Sequence, residues 1–80
     1  MKTKRLNSRE LREKLLQGEV FLFCEYEEAC LRIKIGTDGK ITGFTKLKGR
    51  EEFETHPKSG ILQQVLLEPI EISESDYNTY

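Results

Sequence analysis

No apolar stretch in this chain exceeds five residues, the run Val20-Phe21-Leu22-Phe23-Cys24. A membrane-spanning helix needs about 20, so none is expected. The start, Met1-Lys2-Thr3-Lys4-Arg5, is basic, but no apolar segment follows it, so it does not read as a signal peptide. Cysteine is scarce: two residues, in a chain without an export signal, point to reduced thiols and a cytoplasmic protein. Their Cys-x5-Cys spacing matches no common zinc or redox motif, and no metal or cofactor is expected. There is one histidine, His56, beside the turn-like Pro57-Lys58-Ser59-Gly60. Acid–base catalysis would need it aimed into a pocket with a partner, and no Gly-x-Ser-x-Gly elbow accompanies it. The six glycines fit no phosphate-cradling spacing. Internal repeats and low-complexity segments are absent. A non-enzymatic protein is the expectation.

What is present suits one small domain over residues 1–80. Charged residues make up 34% and hydrophobic residues 36% of the chain. A domain of this size buries roughly 60–65% of its unfolded surface, so its stability is marginal. The net charge of −1 hides an asymmetry. Residues 1–50 hold 12 basic and 7 acidic side chains; residues 51–80 hold 1 and 7. The plain reading is two halves that attract each other. The sharper one is a basic surface for an anionic partner beside an acidic tail.

The fold class reads as α+β: an N-terminal helix on an antiparallel meander of three to four strands, with a second short element near the C-terminus. Asn7 and Glu10 form a capping-box pattern, with Leu6 and Leu11 spaced as a hydrophobic staple. Leu11, Leu15 and Leu16 make a narrow apolar stripe, and Gly18 marks the stop. Arg9 with Glu13 and Glu10 with Lys14 are spaced as i,i+4 pairs. Residues 20–26 and 29–35 read as strands. If Glu27-Glu28 is the whole loop, Cys24 faces Leu31, Leu22 faces Ile33 and Val20 faces Ile35, all on one apolar face. Glu-Glu is a poor two-residue turn, so a longer loop of the same parity is the alternative. Thr37-Asp38-Gly39 predicts a three-residue loop with positive φ at Gly39, followed by a strand over 41–47. Around Phe53 a short strand is expected. Residues 61–67 carry Ile61, Leu62, Val65 and Leu66 at helical spacing, yet also suit a strand. Residues 1–5 are expected to be a flexible basic start, and 73–80 an acidic frayed tail.

Two surfaces emerge as binding candidates. Phe21, Phe23, Arg32, Lys34 and Phe44 share the second sheet face, and rings interleaved with cations are what single-stranded nucleic-acid binders use. The competing reading makes the three rings core, covered by the Ile61–Leu66 stripe. The second surface is a basic patch on the N-terminal segment, carried by Arg5, Arg9 and Arg12, which an anionic partner could use; Glu10 and Glu13 interrupt it. Glu51, Glu52 and Glu54 read as solvated charges on a sheet edge. Cys24 and Cys30 fall on opposite faces, which argues against a shared metal or a mutual disulfide. The leading expectation is a protein-interaction module that binds another protein, or itself, through an open sheet edge or an apolar patch. The alternative is a single-stranded nucleic-acid binder using the aromatic face.

Overall fold

The computed structural model describes all 80 residues. It is an α+β arrangement of helices on an antiparallel sheet. The elements run β1 (Lys4–Arg5), α1 (Ser8–Gln17), β2 (Val20–Cys24), β3 (Ala29–Ile35), β4 (Ile41–Leu47), β5 (Phe53–Glu54), α2 (Gly60–Leu67), β6 (Ile70–Glu71) and α3 (Glu74–Thr79). The sheet order is β1-β6-β2-β3-β4-β5. The expected meander is β2 to β5. The sheet has six strands rather than three to four, because the two-residue strands β6 and β1 extend the meander beyond β2. No helix is long and apolar enough to cross a membrane.

The capping box forms as its residues dictate. The Glu10 amide donates to Asn7 Oδ1 at 2.8 Å, and the Asn7 amide donates to Glu10 Oε1 at 3.1 Å. Leu6, Leu11 and Leu15 are buried in one cluster. Leu16, expected in the same stripe, is 74% exposed. It is one residue, about 100° of helix rotation, beyond Leu15. Arg9 does pair with Glu13 at 3.4 Å. Lys14 instead reaches Glu71 at 2.9 Å, and Glu10 takes Lys4 at 3.7 Å.

The first hairpin keeps the expected parity but shifts by two residues. Cys24 pairs with Ala29, Leu22 with Leu31 and Val20 with Ile33. The loop is therefore residues 25–28, with Glu28 at φ 47°. Four residues replace the Glu-Glu turn that no primed geometry favours. Because side chains alternate, a shift of two leaves every residue on its face. Leu22, Leu31 and Ile33 are fully buried, the centre of the core. The second hairpin turns as predicted: Gly39 sits at φ 80°, and the Gly36 amide donates to the Lys40 carbonyl at 2.7 Å. Between β4 and the chain leaving β5, the buried hydroxyls of Thr45 and Thr55 bond each other at 2.6 Å.

Residues 61–67 resolve as helix, yet they cover the face opposite to the one expected. Leu62 and Val65 join Leu11 and Leu15 above Val20, Leu22 and Ile33. The stripe of α1 supplies only two buried leucines, too narrow for this sheet face, and α2 completes the layer. The aromatic face is covered by the segment expected to fray. Ser73 Oγ accepts from the Asp76 amide at 3.0 Å and starts α3, whose Tyr77 is only 2% exposed. The N-terminal start is likewise tied: Lys4 and Arg5 pair with Glu71 and Ile70.

Candidate functional site

The second sheet face is organised around Arg32 in the middle of β3. Its neighbours across the ladder are Phe21 on β2 and Phe44 on β4. The guanidinium lies 4.4 Å from the centroid of the Phe44 ring, within the range for attraction to the aromatic face. Its planar fork is filled by carboxylates. Nη1 donates to Glu19 Oε2 at 2.6 Å; Nη2 and Nε donate to the two oxygens of Glu52 at 2.7 and 3.2 Å. The bidentate pair with Glu52 is the geometry a guanidinium forms best. Glu52 Oε1 also accepts the hydroxyl of Tyr77 at 2.6 Å. One carboxylate thus ties the segment before β5 to β3 and to α3.

The ionisation of these groups follows from those bonds. Arg32, with Tyr77 second, holds the Glu52 carboxyl below the ordinary carboxylate range. Burial, and then the Glu52 carboxylate, push the Tyr77 phenol above its usual value. Burial likewise raises Tyr80. Cys30 lies under α3 beside Ile72 and Tyr77. Burial pushes its thiol up to about 11, against the opposing influence of Lys46. A protonated, enclosed thiol is not a nucleophile.

α3 is held at its other end too. The Lys46 ammonium donates to the carbonyls of Tyr77 and Asn78 at 3.0 and 2.8 Å, where a cation complements the free carbonyls of a helix end. The Tyr77 ring packs on Phe21 with centroids 5.3 Å apart, and Tyr80 meets Phe23 edge-on at 6.0 Å. A shallow open depression of about 390 Å³ remains beside the helix, lined by Glu19, Arg32, Lys46, Glu52 and Glu74 among others. Its one guanidinium already faces two carboxylates, and its ammonium is spent on α3. An incoming phosphate would meet Glu19, Glu52 and Glu74 rather than a free cation.

The five residues of the candidate aromatic face share one side of the sheet, as expected, and each of the three rings there is partly covered. Phe21 and Phe23 lie under tyrosines, and Phe44 lies under Arg32. Lys34 stands exposed opposite Thr42, beyond this cluster. In the basic patch, Arg5 is on β1, while Arg9 and Arg12 project from α1. All three are exposed, Arg9 is occupied by Glu13, and none lines a surface depression. Cys24 and Cys30 sit in separate clusters on opposite faces of the sheet. His56 is exposed, its Nδ1 accepting from the Lys58 amide at 3.1 Å within a turn.

Sequence reasoning missed Glu19, Lys46, Glu52, Tyr77 and Tyr80. The signals were present. Glu19 continues the 19, 21, 23 alternation onto the aromatic face, and Tyr77 and Tyr80 are i,i+3 behind the Ser73 cap. Glu52, expected as a solvated edge charge, is instead the hinge of the network.

Both sheet edges are short and charged, a feature that discourages indiscriminate strand pairing. β1 offers Lys4 and Arg5; β5 offers Phe53 and Glu54, preceded by Glu51 and Glu52. Phe53 lies opposite Thr45, on the face that carries Leu47 two residues on. Phe53 is 51% and Leu47 37% exposed. Comparison of the chain with protein-family models, with curated proteins and with solved structures finds no match.

Proposed function

We propose that this chain is a non-enzymatic protein-interaction module that engages its partner at the β5 edge of the sheet. One observation carries the reading: Phe53, on a terminal two-residue strand, leaves half of a large apolar ring in water, on the same sheet face as the exposed Leu47. Aromatic side chains on open edges supply contact area, while the strand backbone supplies hydrogen bonds. The candidate catalytic groups point the same way. Tyr77, Glu52 and Arg32 satisfy one another, and Cys30 is enclosed and protonated. The two buried, unpaired thiols suit a reducing, cytoplasmic setting. The nucleic-acid reading has less behind it, because Phe21 and Phe23 pack against Tyr77 and Tyr80 and Phe44 lies under Arg32.

The test places a photo-reactive phenylalanine analogue at position 53, with a control at the exposed Leu67 on α2. In an extract of the native cell, position 53 is expected to give a discrete protein adduct, insensitive to nuclease, that position 67 does not. Equal labelling at both positions contradicts the proposal. So does binding of the unmodified chain to a mixed single-stranded oligonucleotide that weakens steeply with salt.

A further inference from the structure

We infer that the partner at this edge is a second copy of this chain, joined head to tail: β5 of one molecule against β1 of the next. The inference rests on the interaction-module reading and names its partner. In an antiparallel ladder, successive residues turn their N–H and C=O alternately toward one neighbour and away from it. On β1, the Leu6 amide donates to the Pro69 carbonyl at 2.8 Å. Leu6 and Lys4 therefore face β6, and Arg5 directs its amide and carbonyl outward. On β5, the Thr55 amide donates to the Gly43 carbonyl at 2.8 Å. Phe53 and Thr55 therefore face β4, and Glu54 directs its backbone outward.

The side chains match as well. Arg5 lies opposite Ile70 and Glu54 opposite Phe44, which places both on the sheet face that carries α3. Every neighbouring pair in the sheet is antiparallel, so β1 and β5 run in opposite directions. Setting β5 of one copy beside β1 of another continues the antiparallel pattern. Arg5 and Glu54 then become a hydrogen-bonded pair with opposite charges side by side. The same register brings the exposed Phe53 opposite Leu6. Neither Arg5 nor Glu54 takes part in an ion pair within its own chain.

Charge also selects this pairing over the others. Two β1 edges would juxtapose Lys4 and Arg5 with themselves, and two β5 edges would juxtapose Glu51 and Glu54. Only the mixed contact attracts. Such a contact uses different surfaces on the two molecules, so it propagates into chains or closed rings rather than stopping at a two-fold dimer. With two residues in each strand the contact is small, so association is weak and strongly dependent on salt.

The experiment is sedimentation equilibrium of the full chain over a concentration series in low and high salt. The parent is compared with Arg5→Glu, Glu54→Arg and the double variant, each checked for parental circular dichroism. In low salt the average mass of the parent is expected to rise above the 9.3 kDa monomer, and to return toward it in high salt. Each single reversal is expected to weaken association by roughly tenfold or more. The double variant, or a mixture of the two single variants, is expected to restore it. A parent that stays monomeric in low salt overturns the inference, as do single reversals that associate like the parent. A crosslink from position 53 to a different protein would then still uphold the interaction-module reading, so the two failures are distinguishable.

Discussion

Tyr77 donates its hydroxyl to Glu52 at 2.6 Å, and this bond joins the last helix to a segment 25 residues earlier in the chain. The same ring rests on Phe21. α3 is therefore held by an apolar contact and a polar one that can be removed separately. Tyr77→Phe keeps the ring and loses a bond to a partly exposed carboxylate, at an expected cost of about 1 kcal/mol. Tyr77→Ala loses both, at about 3–5 kcal/mol. Urea melts of the two variants measure the difference.

Glu52 makes the attachment of α3 sensitive to acid. Its folded pKa is held below the unfolded value by Arg32 and Tyr77. The stabilisation is thus complete above the ordinary glutamate pKa of about 4.3. It is lost as the pH falls through the depressed folded value. Tyrosine near-UV circular dichroism of the parent is expected to fall in that acid window. In Glu52→Gln the signal loses this component of its pH dependence.

The tyrosines report the same contact from the alkaline side. Tyr77 and Tyr80 have raised folded pKa values, so their contribution is present below the ordinary phenol pKa of about 10 and is lost as pH rises through the folded values. An absorbance titration at neutral to strongly alkaline pH is expected to show two of the three tyrosines ionising late. In 6 M urea all three should titrate together.

Cys30 is buried with a thiol pushed up to about 11, and Cys24 is buried on the opposite face. A thiol-specific reagent at neutral pH is expected to label the native protein slowly and the denatured, non-reduced protein at two sites. A denatured count of zero would mean a disulfide, which the opposite-face placement forbids without refolding the hairpin.

The sheet itself was legible from the alternation of its apolar residues. Leu22, Leu31 and Ile33 are central because a one-residue slip would place charges in their stead. The capping box and the Gly39 turn were equally plain, since each depends on a few adjacent residues. What escaped sequence reading was long-range. Nothing local tells α2 which face of the sheet to cover; that follows from how little of it Leu11 and Leu15 span. Nor does the composition of residues 73–80 show that Tyr77 will find Phe21 and Glu52. The network around Arg32 draws on Glu19, Glu52 and Tyr77, three positions whose proximity exists only once the sheet and α3 have assembled.

The central claim is that the rings of the aromatic face are packed against α3, Tyr80 and Arg32 rather than open for stacking, and Phe21→Ala tests it most directly. The variant and the parent are measured side by side for melting temperature and for binding to a mixed single-stranded oligonucleotide. A loss of about 3 kcal/mol is expected, at the lower end for phenylalanine truncation because Phe21 is only partly buried. In a domain of this size that amounts to more than about 10 °C of melting temperature. No oligonucleotide binding by either protein is expected. An unchanged melting temperature, together with oligonucleotide binding that the parent shows and the variant lacks, would contradict the claim.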